Sequence, residues 1–337
     1  MTTPRVREDH HSDDDNDNDN NAFDGGLFAD PPDYYPPSPP PTTEQHALGR
    51  SGVQLTLHLV GHSVLEAHRL WNGSRVLADY LEDQQEKGHP LVKGRTVLEL
   101  GAGAALPGIV CGIVLGARKV VVTDYPDPDL VVTMRRNIDE AEAGLASAVG
   151  SSALQAAYGG PGTVVADGYI WGGDPVPLLA HLASASETAS VSEDPPKYDV
   201  VLLADLLFRH AEHSKLAYSV QHTLKKTADS RAYVFFTSYR PWLRHKDLAF
   251  FGHACAAGLV VEHLLEKRLE KPPLFFENDP GDVSVRSTVS GYSLRWPAAG
   301  EDPATFWPPP GGIEGADSEV ATATPSQGIS QGETPKA

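Results

Sequence analysis

Asp205 follows the clearest strand in the chain, Tyr198-Asp199-Val200-Val201-Leu202-Leu203-Ala204, and precedes Leu206-Leu207-Phe208-Arg209-His210. Open α/β sheets bind their ligands beyond the C-terminal ends of their strands, so a carboxylate delivered there is placed for chemistry. Two more acids share that placement. Glu99 stands two residues before the turn Gly101-Ala102-Gly103, and Asp124 ends the apolar run Lys119–Thr123. A dinucleotide fingerprint requires G-x-G-x-x-G so that a pyrophosphate can sit on the following helix, but the third glycine position is Leu106 and the next glycine is Gly108. Glu99 would repel a pyrophosphate, whereas it could help hold the cationic amino group of a methionine moiety, directly or through its loop. The residues therefore favour S-adenosylmethionine as cofactor, with Asp124 accepting from ribose hydroxyls. A purely structural strand-to-helix turn is the bland alternative.

Two aromatic residues extend this set. Asp167-Gly168-Tyr169-Ile170-Trp171 ends another strand; Asp167 could accept from the adenine amino group and Trp171 could stack on its ring. The same stretch also fits a turn with a core tryptophan. Trp71 precedes a helical stretch, where it serves either as a hydrophobic staple or as an aromatic face toward the sulfonium, a contact worth about 0.5–2 kcal/mol.

These residues need a sheet to position them. The hydrophobic period predicts strands at Thr96–Leu100, Lys119–Thr123, Thr163–Val165, Tyr198–Leu203, Ala232–Ser238, Leu259–Leu265 and Ser290–Trp296. Helices are expected over Asn72–Leu81, Ala104–Leu115 (with Pro107 in its first turn), Leu130–Ala143, His213–Lys225 and Asp247–Ala257. Val53, Leu55, Leu57 and Leu59 alternate within residues 47–60, which reads as a strand pair or edge element. Gly144–Gly162 and Ser184–Pro196 read as a loop extension and an insertion. The fold class is α/β, a Rossmann-like, mostly parallel sheet with helices on both faces.

The 337 residues carry a formal net charge of −18, distributed unevenly. Eleven acids against two arginines lie in residues 1–46, and six acids against one lysine in residues 301–337. Those segments, rich in Asp, Asn and Pro, cannot bury enough apolar surface to form a core and are expected to be disordered tails flanking a domain at 47–300. A nearly balanced core lacks the basic face of a generic nucleic-acid binder, so direct nucleic-acid binding is not expected. No signal peptide and no long apolar span is legible, and Cys111 and Cys255 are too few for a disulfide framework or a zinc site. A cytoplasmic monomer with no membrane association and no metal is the expectation.

The combination VLELGAGAALPG, VVVTDYPDPDLV, GYIWG and ADLLFRHAEHSKL resembles the seven-stranded class I S-adenosylmethionine-dependent methyltransferases. More narrowly, it resembles the fungal protein N-terminal and lysine methyltransferases of elongation factor 1-alpha, a group once described as nicotinamide N-methyltransferase-like. The likeness covers residues 47–296. It implies that Trp71, Gly101, Ala102, Gly103, Asp124, Trp171 and Ala204 bind the cofactor, and Tyr125 and Glu99 join them by position. It also implies elongation factor 1-alpha as the protein partner. Broader lysine-methylating relatives carry D-x-x-Y where this chain has Asp205-Leu-Leu-Phe208, so the acceptor pocket lacks that hydroxyl.

Methyl transfer needs an amine lone pair in line with the S–CH3 bond, so positioning supplies most of the rate. Asp205, too weak a base to take the amine proton outright, is assigned to orienting the amine, and Phe208, Tyr239 and Trp242 to the acceptor mouth. A small-molecule N-methyltransferase of nicotinamide type would share every cofactor feature and differ in a closed acceptor pocket. An NAD-dependent enzyme and a non-catalytic scaffold are the remaining rivals.

Overall fold

The computed structural model describes residues 39–61, 63, 65–147, 160, 162–183, 196–270 and 281–308. Two compact units are delimited, residues 1–39 and 40–337, and every described helix and strand belongs to the second. The expectations for the stretches 1–38, 148–159, 184–195 and 309–337 lie outside the described residues.

Nine strands form two sheets among the described residues. A two-stranded antiparallel hairpin pairs β1 (Thr42–Ala47) with β2 (Gln54–Leu59). The main sheet contains β3 (Thr96–Leu100), β4 (Lys119–Asp124), β5 (Val164–Gly168), β6 (Val200–Ala204), β7 (Arg231–Thr237), β8 (Val260–Arg268) and β9 (Thr288–Arg295). Its order is β5-β4-β3-β6-β7-β9-β8, parallel from β5 to β7 and antiparallel at β9 and β8. The chain order reverses between β3 and β6, and that reversal opens the ligand crevice of a doubly wound sheet.

Continuous apolar runs in the central strands are explained by two cores. Val97, Val120, Val122, Val200 and Leu202 pack on one face, against α1 (Asn72–Glu86), α2 (Leu106–Ile109, continued by a π turn over Val110–Val114) and α3 (Pro128–Ser147). Leu98, Leu100, Val121, Val201 and Leu203 pack on the other, against the helices His213–Thr223 and Arg244–Ala256. Alternate residues of a strand point to opposite faces, so a strand covered on both sides must be apolar throughout.

The folded part reaches further at both ends than the composition suggests. β1 begins within the segment assigned to the acidic tail, where Arg75 of α1 donates to its Glu44, and in the loop that follows Ser51 Oγ donates to the buried Glu82 of α1 at 2.6 Å. Beyond residue 300, Glu301 pairs with Arg295 through two bonds of 2.6 and 3.0 Å. Trp307 packs 4.8 Å from the Phe251 ring. A short helix, Val176–Ala180, was not legible in the sequence.

Candidate functional site

The site grows from the turn after β3. Gly101 and Gly103 take positive φ of 61° and 53°, which glycine adopts without steric cost. Space matters as well at Gly101, because a Cβ there would stand 2.5 Å from Leu206 Cδ2 and 3.0 Å from Trp171. Asp124 clips the turn from β4: its Oδ2 accepts from Gly103 N–H at 2.7 Å and its Oδ1 from Tyr125 N–H at 2.7 Å. Burial raises its carboxyl above the usual range.

Glu99 points under the turn. Its Oε2 accepts from Gly108 N–H at 2.8 Å, and burial pushes its carboxyl up to about 8. Gly108 is required by packing, since a Cβ would lie 2.2 Å from Val122 and 2.7 Å from Glu99 Oε2. With this N–H taken by a carboxylate and α2 only four residues long, the helix N-terminus makes a poor pyrophosphate seat. The contact between Glu99 and any ligand runs chiefly through the loop, because its side chain is almost fully buried.

A cavity of about 290 Å3 opens above this turn. Glu99, Gly101, Ala102, Gly103 and Asp124 form its floor and one side; Trp71, Tyr125, Trp171 and Ala204 complete its walls. Asp167 does not join them. Its Oδ2 is 2.8 Å from His181 Nε2 and its Oδ1 accepts from Gly168 N–H, and Tyr169, Ile170 and Trp171 take the wall instead. The donor set fits an adenosyl-sulfonium ligand: a carboxylate edge for hydroxyls and two tryptophan faces.

A second cavity, about 700 Å3, shares Glu66, Trp71, Asp205, Phe208, Arg209 and Glu212 with the first. Trp71 stands at the shared wall, its indole N–H donating to Glu66 O at 2.8 Å and its ring 4.9 Å from Tyr239. Asp205 is buried, with a positive φ of 55°, and both carboxylate oxygens hold backbone: Oδ1 accepts from Thr237 N–H at 2.7 Å and Oδ2 from Gly73 N–H. Burial pushes its carboxyl up to about 7, the two backbone bonds oppose that, and the nearby Asp247 charge adds to it. Asp205 thus fastens the first turn of α1 to the end of β7, and the Tyr239 hydroxyl donates to it as well, which leaves one of the four lone-pair sites of its carboxylate.

Tyr239, expected at the acceptor mouth, places a hydroxyl beside Asp205, accepting from Asn72 N–H at 3.0 Å, so an aromatic hydroxyl follows β7 to this wall despite Phe208. Two features escaped the sequence reading. Glu66 carries a positive φ of 64° at the wall shared by both cavities. His210, inside the quoted ADLLFRHAEHSKL stretch, lines the second cavity with Asp247 behind it.

A profile of the family described as lysine methyltransferase matches residues 54–158. The protein N-terminal and lysine N-methyltransferase of Neurospora crassa is 52% identical over 262 residues, 78% of this chain and 85% of that relative. Its counterpart in Gibberella zeae is 47% identical over 256 residues, 76% of this chain and 89% of the relative. Among solved structures, P. horikoshii TYW2 in complex with MeSAdo aligns at a TM-score of 0.40 and 14% identity, over 78% of this chain and 74% of that one. The sheet order and the glycine-turn cavity define a class I methyltransferase whose cofactor is S-adenosylmethionine. The chain belongs to the family of protein N-terminal and lysine N-methyltransferases, and its acceptor is a protein. Among the described residues no helix is long and apolar enough to cross a membrane.

Proposed function

We propose that this enzyme methylates the N-terminal α-amine and an adjacent lysine of translation elongation factor 1-alpha, as a cytoplasmic monomer. The observation that carries the reading is the second cavity: it is more than twice the volume of the first, shares a wall with it, and is rimmed by a half-exposed Trp242. An extended peptide end enters such a mouth more readily than a nicotinamide ring fills it. The family resemblance supplies the name of the acceptor, and the relatives' names supply the pair of target groups.

The bound cofactor supplies an electrophilic methyl group on a sulfonium. The chain's part is to hold the amine in line with it, which is where most of the rate arises. Trp71 and Phe208 are the aromatic side chains that the two cavities share, beside Glu66, Asp205, Arg209 and Glu212. Asp205 offers its remaining lone pair to an amine N–H while its bonds to Gly73, Thr237 and Tyr239 fix its direction. An uncharged amine is needed, and an α-amine, with pKa about 7.7–8.0, gives up its proton more easily than a lysine at about 10.4.

The test compares the N-terminal peptide of the factor with the same peptide acetylated, and with nicotinamide. The expected outcome is efficient methylation of the free peptide and loss of α-amine methylation on acetylation. Efficient turnover of nicotinamide with none on the free peptide would replace this reading by the small-molecule one.

A further inference from the structure

Behind the second cavity lies a paired histidine and carboxylate that the orientation role of Asp205 leaves unused. His210 opens the short turn His210–Glu212, between β6 and the helix His213–Thr223, and its side chain is about a quarter exposed. Its Nε2 lies 2.7 Å from Oδ1 of Asp247, in the first turn of the helix Arg244–Ala256. Asp247 is 5% exposed. With the carboxylate ionised, Nε2 carries the hydrogen, and the neutral ring keeps its lone pair on Nδ1.

We propose that His210 is the group that takes the proton from the acceptor amine, with Asp247 as the positioning residue that fixes its tautomer. The proposal rests on the second cavity being the acceptor site. An ammonium R–NH3+ gives one proton to His210 Nδ1, directly or through one water, and becomes R–NH2. Its lone pair forms the N–CH3 bond as the S–CH3 bond breaks, the sulfonium leaving as a neutral thioether. The imidazolium, stabilised by Asp247, then loses its proton to solvent through its exposed edge. Each further methylation of the same nitrogen repeats the cycle.

The surroundings support this assignment. His213, 5.6 Å from the His210 ring, donates from Nε2 to Leu207 O at 2.7 Å, and burial lowers its pKa, which favours its neutral form. Burial raises the Asp247 carboxyl, and His210, Ser238 and the Arg240 charge oppose that rise; Asp205, His213 and His253 stand near this cluster, and Glu66, Arg209, Glu212, Tyr239 and Arg240 line the same cavity as His210. Asp205 is the rival base. Its carboxylate, however, already accepts from Gly73 and Thr237, and protonating it would weaken bonds that hold α1 and β7 together.

The experiment measures kcat and KM for a free-N-terminus peptide between pH 6.5 and 9.5 in the wild type, His210→Gln, Asp247→Asn and Trp242→Ala, with cofactor affinity by calorimetry as the check on folding. His210→Gln is expected to keep cofactor affinity and lose about 10²-fold or more in kcat at pH 7, the usual worth of a positioned base. The deficit should shrink toward tenfold by pH 9.5, where the α-amine, with pKa near 8, has already lost its proton to water. Asp247→Asn should show a smaller deficit with the same pH trend, and added imidazole should restore part of the rate in His210→Ala. Trp242→Ala should raise peptide KM with little change in kcat. If Trp242→Ala raises KM but the His210→Gln deficit is absent or equal at every pH, the acceptor cavity stands and the proton role of His210 is wrong. If Trp242→Ala and His210→Gln both leave peptide kinetics unchanged, the acceptor-cavity reading is wrong and the proposal goes with it.

Discussion

Buried carboxylates at this site hold the fold and the function in tension. Glu99 is fully enclosed, and its carboxyl is pushed up to about 8, first by burial and then by the Asp124 charge, with the Gly108 bond opposing. In the unfolded chain it titrates near 4.5. Between those values the folded protein holds a proton that the unfolded chain has released, so stability falls as pH rises from about 4.5 to about 8. Glu99→Gln keeps the shape and removes the titration. The melting temperature of the variant relative to wild type should therefore rise between pH 5 and pH 8 by on the order of 5 °C or more, since each kcal/mol is worth about 2–4 °C in a domain of this size. Parallel melting curves for the two proteins across that window would show that Glu99 is not protonated in the fold.

At the scale of elements, the hairpin β1–β2 braces the end of α1 that carries Trp71. Asn137 of α3, fully buried, accepts from His58 N–H at 2.7 Å and donates to His58 O and to Ala104 O, linking β2 directly to the cofactor turn. A chain starting at residue 40 should keep the wild-type melting temperature and cofactor affinity. One starting at residue 48 loses the β1 ladder and the Glu44–Arg75 pair, leaves β2 as a bare edge, and should melt about 4–10 °C lower, which a thermal melt of the two would read. Equal melting would mean that β1 adds nothing to the fold. The sequence announced β2 through the alternation of Leu55, Leu57 and Leu59, but β1, TTEQHA, has no such pattern and owes its pairing to its partner strand. β3 and β4 were legible nearly to the residue, because strands buried on both faces must be apolar without interruption. The same logic placed Asp124 and Asp205, as acids at the ends of such strands. Asp167 also comes near a strand end, but the fold adds a bond to His181 that no local pattern marks and leaves it outside the lining of the first cavity. His210 and Asp247 stayed hidden for the same reason: 37 residues separate them and only the fold brings them together.

For the whole molecule, charge separates what holds the acceptor from what attracts it. Residues 1–39 and 309–337 carry fourteen acids against three bases, so 11 of the 18 net negative charges lie outside residues 40–308, which line both cavities. The proposed acceptor, an α-amine with a neighbouring lysine, is locally cationic and would be drawn toward that charge. Such attraction is long-ranged only where salt permits, the screening length being about 8 Å at physiological ionic strength and about 30 Å at 0.01 M. Its effect belongs to encounter, since steering raises association rates without new contacts. A chain of residues 40–308 should therefore match the full chain in kcat and in cofactor affinity at any salt. Its peptide KM should agree within about twofold at 0.15 M and exceed that of the full chain severalfold at 0.01 M, where the tails' field reaches beyond the surface. Steady-state kinetics at the two ionic strengths decide it. A fall in kcat with cofactor affinity intact would mean that a terminal segment touches the acceptor at the moment of transfer, and an unchanged KM at low salt would mean that the acidic segments play no part in capture.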